Sequence, residues 1–216
     1  LDVVTGDVIK RVGTTLTIKG ATLVRKGGGM IFNDEVTVTV ATTTKVHRQL
    51  SKEPFSIGDI SVGQRVAVHG NLTNENAGSL ELDATNGSVR MLLTTLRGTV
   101  VSTDSVNSRA VLDLQTISRR QVSLFDFTGT GSNPASYQVD TGSLNLSGLT
   151  AGSPVAVRGF VQPFGFAPPD FIAQTLVDAE DVPTTLFVNW LPASSAAFSA
   201  VSATGLTLNL TDSPLH

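Results

Sequence analysis

Apolar and polar residues alternate one for one along much of this chain, the period of a strand that buries one face and wets the other. In Thr14 to Lys19 (TTLTIK), Leu16 and Ile18 share one side and the threonines the other. Glu35 to Ala41 (EVTVTVA) repeats the device with Val36, Val38 and Val40. Before them, Asp2 to Lys10 (DVVTGDVIK) is a short strand interrupted by Gly6, and it pairs with the Thr14 strand as a hairpin around Val12-Gly13. Lys26 to Gly29 is a permissive loop. Thr42 to Asp59 is more polar, contains Pro54 and reads as a connector with room for one helical turn. A strand over 65–69 and another over Gly78 to Ala84 (GSLELDA), with Leu80 and Leu82 on one side, complete a unit of about five antiparallel strands.

The stretch Ser61 to Leu72, SVGQRVAVHGNL, returns as Thr150 to Val161, TAGSPVAVRGFV. Gly63 falls on Gly152, Val66-Ala67-Val68 on Val155-Ala156-Val157, and Gly70 on Gly159. Around it, Arg97-Gly98-Thr99-Val100 answers Thr5-Gly6-Asp7-Val8, and Phe171-Ile172-Ala173 answers Leu82-Asp83-Ala84. The offset stays near ~90 residues throughout, as expected of a duplicated unit and not of chance valine runs. In the second copy, strands are expected over Ala110 to Leu114 and Gln121 to Phe127, with weaker ones at Tyr137 to Val139 and Leu144 to Leu146 and a loop from Gly129 to Ser136. Thr184-Thr185-Leu186 answers Thr94-Thr95-Leu96, and Ala197 to Leu210 adds AFSAV and GLTLNL, the start of a third unit. Such unpaired strands must pack on a neighbour, pair with another copy or continue into a longer array. The expected organisation is all-β: a first small antiparallel barrel over 1–92, a second over 93–181, and a partial third repeat or strand-donating tail over 182–216. One large sandwich through both halves is the alternative.

The order Gly-x-Val, two alternating strands, Val-Gly-x-x-Val-x-Val-x-Gly and a closing Leu/Ile-x-Ala resembles the uncharacterised tandem repeats of exported and lipid-anchored bacterial proteins. It is carried here by Gly6, Val8, Val62-Gly63, Val66, Val68, Gly70, Leu82 and Ala84, and again by Gly98, Val100, Gly152, Val155, Val157, Gly159 and Ala173. Ala151 stands where the first copy has Val62, and Phe171 replaces the closing leucine. The resemblance covers roughly residues 3 to 180. It implies small barrels similar to OB-folds, a domain of unknown function with no catalytic residues to carry over, and a place in the bacterial cell envelope or outside the cell.

Hydrophobic residues make up 40% of the chain and charged ones only 15%, a balance that folds. The formal net charge is −3, so the broad cationic field used for nucleic-acid binding is missing and nucleic acid is not an expected partner. Cysteine is absent, which removes disulfides, thiolate catalysis and cysteine-ligated metals together. No stretch approaches the ~18 apolar residues of a membrane span. With Leu1 in first place, the chain is expected to be trimmed from a longer protein.

Candidate chemistry is sparse. His47, His69 and His216 have no spacing that brings two to one metal, whereas zinc needs three or four converging ligands. His69 aligns with Arg158, so both copies keep a cation at one strand position, either solvated or lining a binding groove. The acidic run Asp178 to Asp181 reads as a solvated linker without the Asp-x-Asp-x-Asp spacing of a calcium loop, and the basic pairs Arg25-Lys26 and Arg119-Arg120 read as solvated turns. Nucleophile elbows, phosphate loops and zinc-protease helices are missing, so no catalytic residue, metal or cofactor is expected. One stretch stands out: Phe160 to Phe171 (FVQPFGFAPPDF) gathers phenylalanines in a proline-rich loop whose counterpart, NLTNENAGSLEL, is polar. Either these rings fold inward and seal a barrel mouth or an interface with the tail that holds Trp190, or they stay exposed for a partner or glycan. The candidate binding residues are therefore Phe164, Phe166, Trp190, Arg158 and His69. The expected function is a non-catalytic structural or adhesion-type module of an exported bacterial protein, whose partners are another protein or further copies of itself, joined through the C-terminal strands. A carbohydrate-type ligand module using loop 160–171 is the alternative, and a hydrolase ranks third because it would need clustered titratable groups in one pocket.

Overall fold

The computed structural model describes residues 1–76, 79–180, 198–203 and 205–208. The chain separates into two compact units, Leu1–Glu180 and Asp181–His216. Within the first, β1 (Asp2–Val12), β2 (Thr15–Val24), β3 (Met30–Thr39), β4 (Lys45–Arg48), β5 (Arg65–Asn76) and β6 (Ser79–Leu92) form one sheet. A second sheet contains β7 (Thr94–Asp104), β8 (Arg109–Ile117), β9 (Arg120–Gln121), β10 (Tyr137–Asp140), β11 (Pro154–Val161) and β12 (Phe171–Asp178). The first sheet closes in the order β1-β2-β3-β6-β5-β1 and the second in the order β7-β8-β10-β12-β11-β7, and each closed ring holds one parallel pair, β3 with β6 and β10 with β12. This is the five-stranded order of an OB-type barrel, and it sets aside the single sandwich. β4 and β9 attach outside the rings, β4 to β6 and β9 to β8. In the second unit, β13 (Phe198–Val201) pairs antiparallel with β14 (Leu206–Leu208).

The two barrels share a register as well as an order. Gly6 lies opposite Val66 and Val4 opposite Val68, while in the second barrel Gly98 lies opposite Val155 and Leu96 opposite Val157. Val8 meets Ile18 as Val100 meets Leu112, and across the parallel pairs Val38 meets Leu82 as Val139 meets Phe171. The alternation read from the sequence places these side chains inward, where Val66, Val68 and Val157 are fully buried. Each such side chain contributes about 1.5–3 kcal/mol by leaving water. The repeated glycines sit where neighbouring strands approach too closely for a side chain. A Cβ on Gly70 would lie 2.5 Å from the Asp83 carbonyl oxygen, one on Gly159 2.0 Å from that of Ile172, and one on Gly98 2.3 Å from that of Asp113. Register shifts adjoin all three, so these are the bends by which a short sheet closes.

Several strands run further than the alternation predicts: β5 continues past Gly70 to Asn76, and β3 begins at Met30. The expected connector holds β4 and a 3-10 turn at Ile57–Asp59, capped by Ser56 and Asp59 in reciprocal hydrogen bonds. The strand expected over Gln121 to Phe127 is not formed. β9 stops at Gln121 and a 3-10 turn covers Val122–Leu124. Packing overrides the short period here, because the three-residue step from Val122 to Phe125 suits a turn. Phe125 and Phe127 have ring centroids 6.3 Å apart, and the same distance separates Phe127 from the buried Tyr137. Leu144 to Leu146 is likewise no strand: Leu146 and Leu149 are buried in the core of the second barrel from a loop.

Candidate functional site

Only Leu93 separates β6 from β7, both barrels fall in one compact unit, and the repeated turn before β5 lies at their junction. Gly63 and Gly152 share a φ of 92°, a left-handed value that glycine alone adopts without strain. Both turns are tied to the neighbouring strand in the same way. Gly63 N–H donates to the Val8 carbonyl at 2.8 Å, as Gly152 N–H does to that of Val100. The next residue separates the copies. Gln64 is fully buried, its Nε2 donating to the Leu92 carbonyl (2.6 Å) and to Thr94 Oγ1 (3.2 Å), and its Oε1 accepting from the Val161 N–H (3.1 Å). Ser153, its counterpart, accepts from the Thr150 N–H of its own loop at 3.1 Å. Ile9 and Val62 of the first barrel belong to the apolar core of the second. The Arg48 guanidinium lies 4.5 Å from the Phe55 ring centroid and 5.1 Å from that of Phe160, a cationic link across the junction. Lys10 reaches Asp126 at 3.1 Å, and the Asp126 carboxyl is held down to about 2 by hydrogen bonds from Thr128 and by Lys10.

Beside this seam lies a groove of about 700 Å³. Arg97 on β7 and Arg158 on β11 point away from the barrel core and line the groove, because their neighbours Leu96 and Val157 point into the core. Ala156, in register with Arg97, gives the groove a low floor. Arg119 and Arg120 come from the tight turn between β8 and β9. There Ser118 and Arg119 hold φ values of 49° and 70°, a two-residue hairpin turn built without glycine. Arg65 enters from the first barrel. Five of the chain's fifteen lysines and arginines thus line one groove, in a protein whose net charge is negative.

Two of the five are anchored from below. Asp7 Oδ2 lies 3.2 Å from Arg120 and 3.5 Å from Arg65, and the Asp7 side chain is fully buried. Burial pushes its carboxyl above the usual carboxylate range, against the pull of the two guanidiniums. Gly20 makes this reach possible: a Cβ there would stand 1.6 Å from Arg120 Nη2, so any other residue would displace the arginine. Arg97, Arg119 and Arg158 are exposed and have no acidic partner among the described residues.

The structure separates the residues singled out by sequence. Arg158 lines the groove. His69 occupies the matching position of the first barrel, opposite Val3 as Arg158 is opposite Thr95, and takes no part in the groove. Phe164 packs against the core of the second barrel, under the Arg11 guanidinium at 4.7 Å, and its N–H donates to the Gly58 carbonyl, so this ring seals the junction. Phe160 and Phe171 are buried as well, while Phe166 is 70% exposed. Trp190 and His216 lie outside the described residues. Of the pair Arg119-Arg120, read as a solvated turn, Arg119 is exposed in a tight turn as expected, whereas Arg120 is held on Asp7, and both line the groove. Sequence reasoning also passed over Arg65, Arg97 and Asp7, which only the folded register brings together.

Elsewhere, the buried Asp170 accepts from the Gln138 N–H at 2.5 Å, and burial raises its carboxyl and the buried Tyr137 hydroxyl above their usual ranges. Among the described residues no three His, Cys, Asp or Glu side chains converge as metal ligands, and no helix is long and apolar enough to cross a membrane. Compared with known proteins, the chain matches no family model, no curated protein and no solved structure.

Proposed function

We propose that this chain is a non-catalytic binding module of structural or adhesion type, part of an exported bacterial protein of the envelope or exterior. The observation that carries the reading is the make-up of the groove. Arginines, two hydroxyls, small residues and the aliphatic Leu93 and Val177 line it, with no carboxylate or histidine among them to act as a general base. The junction supports it too, since two barrels joined by a buried polar bridge and shared core residues suit a spacer or a docking surface. The location is supported by the low charge content and by the resemblance of the repeat.

Assembly through the C-terminal strands is part of the proposal. A two-stranded sheet is marginal by itself in water, and Val201 and Leu206 of β13 and β14 are 71% and 57% exposed. Size-exclusion chromatography with light scattering across a hundredfold concentration range tests this. Association that weakens with Val201→Asp is expected, and a strict monomer at every concentration overturns self-assembly. A panel of chromogenic esters, glycosides and phosphoesters tests the rest, because turnover abolished by Arg158→Gln would place a catalyst in the groove. Exposed Phe166 favours carbohydrate binding at loop 160–171 as the second reading, checked by a glycan array in which Phe166→Ala erases the signal.

A further inference from the structure

The geometry points to the arginine groove as a binding site for a compact polyanion carrying two or more phosphate or sulfate groups. The inference rests on reading the module as a binder, and needs nothing about where the protein resides. Among the described residues, five guanidiniums face one carboxylate, and that carboxylate is buried beneath two of them. Arg97, Arg119 and Arg158 therefore present planar donor forks to the groove, the geometry that takes phosphate or sulfate oxygens two at a time. Like charges gathered this closely repel one another, and the fold holds them together with a buried aspartate, a glycine that clears the path of Arg120 and a turn with two left-handed non-glycine residues. A clustered negative ligand relieves that repulsion, whereas a single carboxylate would leave most of it in place. The volume of about 700 Å³ falls within the ~300–1,000 Å³ of ligand sites, with room for more than one tetrahedral anion.

The lining also selects against other partners. It contains no aromatic ring, so neither a nucleobase nor a neutral sugar face finds a stacking platform. The excess positive charge is local to the groove in a chain of net charge −3 and does not form the long basic track of a nucleic-acid binder. What remains is recognition by charge and hydrogen bonds alone, shared by phosphorylated or sulfated glycans and by free polyphosphate.

Titration calorimetry of the full chain in 50 mM NaCl, with tripolyphosphate and with a sulfated tetrasaccharide as separate probes, tests the site. One site per chain is expected, with affinity falling at least tenfold in 200 mM NaCl. The pair Arg97→Gln and Arg158→Gln should bind at least tenfold more weakly, with a melting temperature within about 2 °C of the wild type because both side chains are exposed. The corresponding Lys pair keeps the charge without the fork and should fall between. Tighter binding of the saccharide assigns the site to a glycan, and tighter binding of tripolyphosphate to free polyphosphate. Three results overturn the proposal: neither probe binding at millimolar concentration, equal affinity in the Gln pair, or single-stranded DNA outcompeting tripolyphosphate at equal phosphate count. Release of phosphate from bound tripolyphosphate would end the non-catalytic reading while leaving the anion site in place.

Discussion

The first barrel carries the same face as the groove, and it is not cationic in the same way. Position for position, Arg97 corresponds to Thr5, Arg158 to His69, and Arg119-Arg120 to Arg25-Lys26. In the first barrel Arg25 is paired with Glu75, and the Asp2 carboxyl is held below the usual range by the Lys26 backbone N–H, with the charge of Arg25 helping. Among the described residues, the corresponding arginines of the second barrel have no acid of their own copy, and Asp7 of the first barrel supplies a carboxylate to Arg120. The shared fold thus explains the barrels and not the groove. A common register fixes which positions point outward, and the residues placed there decide whether that face is neutralised or left with surplus charge.

The comparison can be broken at its bends first. Gly159→Val forces a side chain into the Ile172 carbonyl and is expected to cost about 3 kcal/mol or more, seen as loss of the thermal transition by circular dichroism. Gly152→Ala, left-handed but with open space around it, should cost only about 1 kcal/mol. Equal losses at the two sites would mean that close approach is not what the repeated bend requires.

The anchor of the groove gives a smaller, pH-dependent effect. Asp7 has a folded pKa raised above 3.8, and Arg120→Met removes a cation that opposes the rise. The folded state then holds its proton more tightly than the unfolded chain, so this contribution to stability falls as pH climbs from about 4 through the raised pKa. Urea unfolding should show wild type and variant close together near pH 4 and separated by about 2 kcal/mol at pH 7, a figure that allows for the partial solvent access of Arg120. A gap that stays constant with pH would remove Asp7 from the account.

The junction offers the finest discrimination. Gln64→Ala leaves the Val161 N–H without its buried acceptor and should cost about 1–2 kcal/mol, whereas Ser153→Ala at the matched position should cost about half as much. Chemical denaturation of the two variants measures the difference. If the serine substitution proves the more damaging, the polar bridge is not what holds the barrels together.

Much of this architecture was legible beforehand, because period-two valines and recurring glycines are local signals that closure into a barrel amplifies. Val66, Val68, Val155 and Val157 are inward and matched in register, as the repeat predicts. Gln121 to Phe127 misled because its aromatic residues are recruited by Tyr137, a partner that no local pattern announces. The groove was hidden for a similar reason. Its arginines come from four separate stretches, around 65, 97, 119 and 158, and each by itself looks like an ordinary solvated cation. The one local hint was the basic pair at 119–120, which shows its meaning only beside a buried aspartate 112 positions upstream of Arg119 and a glycine that makes room.

Ile9 is 8% exposed at the seam, while Val101, the residue in its place on the second barrel, is 46% exposed. The contact between the barrels joins two unlike surfaces, so it has a leading and a trailing side and no twofold axis to terminate it. Were a further barrel joined by the same contact, it would present the same open side as the one before, which gives the arrangement a direction.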